Sequence, residues 1–107
     1  MANQETGILH QTSDLDEVRR IVLSGLKDYR SQVYLFGSWA AGTAGRTSDI
    51  DVAVLPIDAI PRHVFSDIRE RLEESGVIYP VDLVDLSEAT EPFRERVLRE
   101  GVLWNAL

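Results

Sequence analysis

The sequence predicts a small α/β (α+β) domain, a mixed sheet flanked by helices. Apolar stripes at helical spacing alternate along the chain with short β-branched runs. Gly37, Pro56, Pro61, Gly76, Pro80 and Gly101 punctuate those segments. With 107 residues, 44% of them hydrophobic, the chain can bury one core. Residues 1–107 are therefore expected to form a single domain, with 1–12 as a loose N-terminal arm.

The arm is polar and aperiodic, with Ile8 and Leu9 as a possible anchor. Ser13 reads as an N-cap, followed by Asp14, Asp16 and Glu17 where a helix dipole favours negative charge. Leu15, Val18, Ile21, Val22, Leu26 and Tyr29 recur at helical spacing, which predicts a helix over 14–29. Gly25 interrupts it at a cost of about 1 kcal/mol relative to alanine, and close packing against a neighbour would explain its presence. "VYLF", Val33 to Phe36, predicts a buried strand closed by Gly37. A short helical turn from Ser38 to about Ala41 and a loop through Ser48 lead to a second strand, "DIDVAVL", stopped by Pro56. Pro61 suits a helix N1 position, and Val64, Ile68 and Leu72 form the stripe of a helix ending at Gly76. "VDLVDL", Val81 to Leu86, is the third strand. The last helix is expected from about Pro92 to Glu100, capped by Thr90, with Phe93, Val97 and Leu98 inward.

Charge narrows the function. Eighteen acidic side chains against eleven basic give a net charge of −7. Such a surface repels a long nucleic-acid backbone, whereas nucleic-acid binders carry a basic footprint. A small nucleotide remains compatible, since a metal ion can neutralise its phosphates locally. The chain has no cysteine, so it has neither disulfides nor zinc–thiolate sites. No segment reaches the roughly 18 apolar residues of a membrane span, and "MANQETGILHQ" lacks the pattern of a signal peptide. A cytoplasmic protein is expected.

The chemistry concentrates in "LFGSWAAGTAGRTSDIDVAVL". Alternation on a strand puts Asp49 and Asp51 on one face and Ile50, Val52 and Val54 on the other. Two adjacent carboxylates repel and raise each other's pKa unless a cation lies between them. Magnesium, which takes hard oxygen ligands and keeps positions for water and phosphate, is the natural cation. Taken alone, the pair reads first as structural, Asp49 capping a turn after Ser48 and Asp51 a solvated edge residue. The Gly37–Ser38 turn shifts the weight, because glycine and a serine hydroxyl at a strand-to-helix bend suit a phosphate. Neither a Walker A loop nor a dinucleotide fingerprint fits: Thr43 and Ala44 replace the required Lys and Ser/Thr, and Trp39 replaces a required glycine.

Gly37-Ser38, ten residues, then Asp49-Ile50-Asp51 make the pattern GSx10DxD, with Ser48 before the first aspartate. It resembles the signature of the polymerase-β-like nucleotidyltransferase superfamily, and the small size resembles its minimal members, the MNT domains of the MntA type. The resemblance implies that fold, with Gly37, Ser38 and Ser48 as nucleotide-binding residues. It also implies a third carboxylate on a later strand. Asp82 matches that position, and Asp85, on the opposite face of the same strand, is second choice. Asp49, Asp51 and Asp82 would then be both catalytic and metal-ligating, holding two Mg2+ ions about 3.5–4 Å apart. AMP would pass from ATP to an acceptor hydroxyl, with Asp82 able to accept its proton. Family members often carry an arginine where this chain has Ala41, and Arg46 is a possible substitute.

Minimal members lack a domain for a bulky acceptor. The resemblance implies a HEPN-domain toxin as partner, adenylylated on a tyrosine, with this chain as the antitoxin. Two other readings stay open: an antitoxin acting by binding alone, and a transferase for an aminoglycoside-like small molecule. The remaining conspicuous residues have plainer readings. His10 and His63 are isolated surface histidines, and Arg69 and Glu73 belong to a solvated helix face. Trp39 either walls the nucleotide pocket or packs. Trp104 and Leu107 either close the core or form a contact surface.

Overall fold

The computed structural model describes residues 2–45 and 48–105, with side chains from residue 13 onward. In chain order the elements are α1 (Ala2–Gly25), β1 (Ser31–Phe36), α2 (Gly37–Ala41), β2 (Ile50–Pro56), α3 (Arg62–Glu74), β3 (Val81–Asp85), α4 (Glu91–Glu100) and β4 (Val102–Leu103). The strands form one mixed sheet in the order β3-β2-β1-β4. β1 runs antiparallel to β2 and β4, whereas β2 and β3 are parallel. A parallel pair needs a crossover, and α3 supplies it.

Period-2 alternation sorts the sheet's side chains onto two faces. Val33, Leu35, Ile50, Val52, Val54 and Leu83 are buried with Val18, Ile21, Val22 and Leu26 of α1 and Val64, Phe65, Ile68 and Leu72 of α3. The other face buries Tyr34 and Ala53 with Leu86 and with Val97 of α4. Phe36, Leu55, Val84, Ala89 and Phe93 pack against this second cluster. The sheet thus lies between α1 and α3 on one side and α4 on the other. α4 shields the middle of its face, while the row that starts with Phe36 and Asp51 lies where β1 gives out.

Several boundaries differ from expectation. α1 begins at Ala2 rather than after Ser13, so the backbone of 2–12 is helical and Ser13 is an exposed helical residue. Residues 2–12 contain no proline, and adding turns to an existing helix needs no new nucleus. The proposed anchor side chains Ile8 and Leu9, and His10, lie outside the described side chains. α1 ends at Gly25 rather than at Tyr29, and Leu26 and Tyr29 continue in hydrogen-bonded turns. Pro61 is the N-cap of α3 rather than its first residue, with extended backbone. Thr90 holds the N-cap position of α4 with no side-chain capping bond. Leu98 is 39% exposed, because α4 contacts the sheet through the Phe93–Val97 stripe and Leu98 lies beyond its edge.

Gly25 has the packing role expected of it. A Cβ there would collide with the side chain of Ile68, which is 1% exposed on α3. Helix propensity alone favours alanine at this position by about 1 kcal/mol. Overpacking a filled core costs about 1–3 kcal/mol, so Gly25→Ala is expected to lower stability by roughly 1 kcal/mol in urea denaturation. A variant as stable as the wild type or more so would mean that the two helices separate freely.

The C-terminal tail completes the β1 edge. Tyr34 pairs with Leu103 and Leu35 with Val102. The Trp104 N–H then donates to the Val33 carbonyl at 2.7 Å. Asn105 continues the ladder with its side chain, accepting from the Val33 N–H at 2.8 Å and donating to the Ser31 carbonyl at 2.9 Å. Arg19 on α1 donates to the Trp104 carbonyl at 2.7 Å. Trp104, 8% exposed, closes the core; Leu107 lies outside the described residues. Among the described residues, no helix is long and apolar enough to cross a membrane.

Candidate active site

The site forms at the end of the sheet where β1 stops and β2 and β3 start. Register sets its layout: Phe36 lies opposite Asp51, and Asp51 lies beside Asp82. Paired residues point to the same face, so these two carboxylates are cross-strand neighbours. The Ile50 N–H donates to the Pro80 carbonyl at 2.8 Å, fastening the two strand starts together. Asp49 is exposed immediately before β2.

The electrostatics follow from that crowding. Partial burial pushes the Asp51 carboxyl above its ordinary value, and the charges of Asp82 and then Asp49 add to the rise. Asp51 thus sits under the negative charge of both other aspartates. Their oxygens are not gathered about one point, however. Among the described residues, no group of three His, Cys, Asp or Glu side chains is arranged to hold a metal ion. Backbone adjacency is in place; side-chain convergence is not.

Gly37 answers to two demands at this corner. Its φ of +72° lies in the left-handed region, which turns β1 into α2 within a single residue. It also leaves room for the Asp51 carboxylate, whose Oδ2 a Cβ at position 37 would strike. α2 ends at once, and the N–H groups of Gly42 and Thr43 both donate to the Ser38 carbonyl. This turn holds the Ser38 backbone beside the carboxylates.

A cleft of about 670 Å³ opens between this corner and α4. Phe36, Gly37, Ser38, Ala41, Thr43, Asp51, Phe93, Arg96, Val97 and Glu100 line it. The volume lies within the usual range for small-molecule sites. Gly37, Ser38 and Asp51 thus share one cavity. Asp49, Asp82 and Ser48 are not among its lining residues. The Ser48 hydroxyl accepts from the Gly45 N–H at 2.9 Å, so it closes the loop before Asp49. Trp39 lies away from the cleft: it packs against Tyr79 edge-to-face at 4.9 Å and donates to the Ser48 carbonyl at 3.3 Å. Asp85 caps its own turn, accepting from the Ser87 N–H at 2.9 Å and from its hydroxyl at 2.7 Å. Arg46 lies outside the described residues.

α4 is the wall that the sequence did not announce. Phe93, Arg96, Val97 and Glu100 recur at i, i+3, i+4 and i+7, one helical face. That spacing was visible. Which cavity the face borders depends on where α4 docks.

A glycine turn packed against one carboxylate, with a second carboxylate on the adjoining parallel strand, brings an open backbone bend and two acidic side chains to one corner. The family described as "Polymerase beta, Nucleotidyltransferase" matches residues 26–104, and the chain belongs to that family. It is 40% identical over 73 residues to "Protein adenylyltransferase MntA" of Shewanella oneidensis, a match covering 67% of this chain and 52% of that protein. This chain thus aligns with about half the length of that relative. It is 33% identical over 96 residues to "Probable protein adenylyltransferase MntA" of Haemophilus influenzae, covering 87% of this chain and 80% of that protein. Its structure resembles the crystal structure of a toxin–antitoxin with AMP-PNP, with a TM-score of 0.66 and 30% identity, over 83% of this chain and 73% of that one.

Proposed function

We propose that this protein transfers AMP from ATP to a hydroxyl of a protein partner, the partner being a HEPN-domain toxin and the acceptor a tyrosine. The observation that carries the proposal is the Gly37–Asp51–Asp82 corner: a glycine turn in contact with one carboxylate and one residue pair from the next. The relatives named as adenylyltransferases, and the neighbour with a bound ATP analogue, support the reaction class. Use of ATP as substrate agrees with the cytoplasmic location expected from the sequence.

Asp49, Asp51 and Asp82 are the residues that would hold two Mg2+ ions. Their donor set fits: hard carboxylate oxygens, with the Asp51 carboxyl raised above its ordinary value by burial and by the charges of Asp82 and Asp49. Bound ions would neutralise the phosphates and lower the pKa of the acceptor hydroxyl. The strand register sets Asp51 and Asp82 side by side, and Asp49 immediately precedes β2. Ser38 would hold a phosphate oxygen through its hydroxyl and N–H, and Ser48 would act on nucleotide through the loop that sets Asp49. Asp82 would take the proton as the acceptor oxygen bonds to the α-phosphorus and the bond to pyrophosphate breaks. The acidic surface suits a basic, RNA-cleaving partner, chiefly by speeding encounter.

The test is intact-mass measurement of a HEPN-domain partner incubated with this protein, ATP and Mg2+. A gain of one or more AMP moieties on a tyrosine is the expected result. Neutralisation of the partner with no change in its mass would mean an antitoxin that acts by binding alone. AMP found on an aminoglycoside-like compound and not on the partner would make it a small-molecule transferase.

A further inference from the structure

We propose that Arg96 on α4 binds the triphosphate of the nucleotide and that Glu100 holds its guanidinium in reserve until the nucleotide arrives. The inference rests on the nucleotidyltransferase reading above. Among the described residues that line the cleft, the charged ones are Asp51, Arg96 and Glu100. Among those described lining residues Arg96 is the one cation, in a cavity that would receive a polyanion. Ala41, on the α2 side of the same cavity, contributes space and no charge.

The face bearing Arg96 is tied to the phosphate turn. Phe93, one helical turn earlier, meets Phe36 edge-to-face at 5.6 Å, and Phe36 directly precedes Gly37. A triphosphate entering beside Gly37 and Ser38 would have the Asp51 carboxylate on the sheet side. On the α4 side it would meet a guanidinium, whose paired N–H donors match phosphate oxygens.

The present partner of Arg96 is easily displaced. Its Nε lies 3.4 Å from Glu100 Oε2, and the two side chains are 69% and 60% exposed. Such exposed pairs contribute little, and a phosphate offers more charge and a better match to the guanidinium. Glu100 also lies 3.9 Å from the Arg99 guanidinium, so it keeps a cationic neighbour when Arg96 turns away. Glu100 is itself an anion in the cleft, and its carboxylate opposes the incoming phosphates.

The two side chains should therefore act in opposite directions. Calorimetric titration with a non-hydrolysable ATP analogue and with AMP, in Mg2+, compares the wild type with Arg96→Ala, Arg96→Lys and Glu100→Gln. Arg96→Ala should weaken the ATP analogue about tenfold and leave AMP within about twofold, because the lost contact is to the outer phosphates. In AMP transfer its KM for ATP should rise more than its kcat falls. Arg96→Lys should recover part of the affinity, and Glu100→Gln should tighten the analogue about twofold or more. Equal losses for ATP analogue and AMP in Arg96→Ala, or no loss for either, would overturn the assignment. So would Glu100→Gln binding no tighter than wild type, a variant that leaves Arg96 in place and guards against a fold defect in Arg96→Ala. A wild type that binds neither nucleotide would overturn the underlying reading instead, a result distinct from a wild type that binds and an Arg96 that makes no difference.

Discussion

Asp51→Asn is expected to abolish AMP transfer and at the same time make the protein more stable. The two effects have one origin. Asp51 is partly buried beside Asp82 and Asp49, and both burial and those charges favour its neutral form. Asparagine keeps the shape and removes the charge. For transfer, the loss should exceed the roughly 10–100-fold that accompanies removal of a residue that merely supports a metal site, because Asp51 is a proposed ligand. For stability, the sign follows from proton linkage. The folded-state pKa is raised above the ordinary 3.8, so the native state binds more protons than the unfolded one in the window just above that value. The contribution of this carboxyl is most favourable below 3.8. It is lost as pH climbs through the raised value, and the deficit persists at neutral pH. Screening by water at a part-exposed side chain limits the gain from Asp51→Asn to the order of 0.5 kcal/mol, or roughly 2–4 °C in Tm. Thermal melts from pH 3.5 to 7 should show no advantage at the acid end and a growing one above it. Mg2+ should raise the Tm of the wild type and not of the variant. An Asp51→Asn protein that melts below wild type at pH 7 would mean that the carboxylate is held by a partner rather than repelled by its neighbours.

Much of this corner was legible because its determinants are local. The alternation of Asp49, Ile50, Asp51 and Val52 assigns faces by parity alone, and the same parity separates Asp82 from Asp85. The structure adds the reason Asp85 stays apart, its hydroxyl and backbone bonds to Ser87. The Gly37 bend was marked by a glycine after a β-branched run. What could not be read depends on contacts distant in sequence. The α1 stripe was clear, but its start was not, because residues 2–12 are polar and helix continues there without an apolar face to mark it. Leu98 is apolar like its neighbour Val97, and where α4 meets the sheet is what exposes the one and buries the other. Trp39 sits next to Ser38 in the chain yet reaches Tyr79, forty residues away and on the other face. The α4 wall of the cleft, Arg96 included, emerges only when that helix docks across Phe36.

Gly37→Ala is expected to fail in the opposite way, losing activity and stability together. An alanine at φ +72° costs about 1–2 kcal/mol in backbone strain. Its Cβ would also strike the Asp51 carboxylate. The carboxylate then either swings off the row it shares with Asp82 or forces β1 and β2 apart, and transfer fails in either case. A total loss of about 2–4 kcal/mol is expected from strain and overpacking together. The two parts can be separated, because only one involves the aspartate. In an Asp51→Ala background the carboxylate is gone, so Gly37→Ala should cost only its backbone share of about 1–2 kcal/mol. The double-mutant cycle should therefore return a coupling energy of about 1 kcal/mol or more from urea denaturation. Additive effects would mean that residue 37 and Asp51 do not touch, and the Gly37 turn and the carboxylate row would then be two separate features of the fold rather than one site.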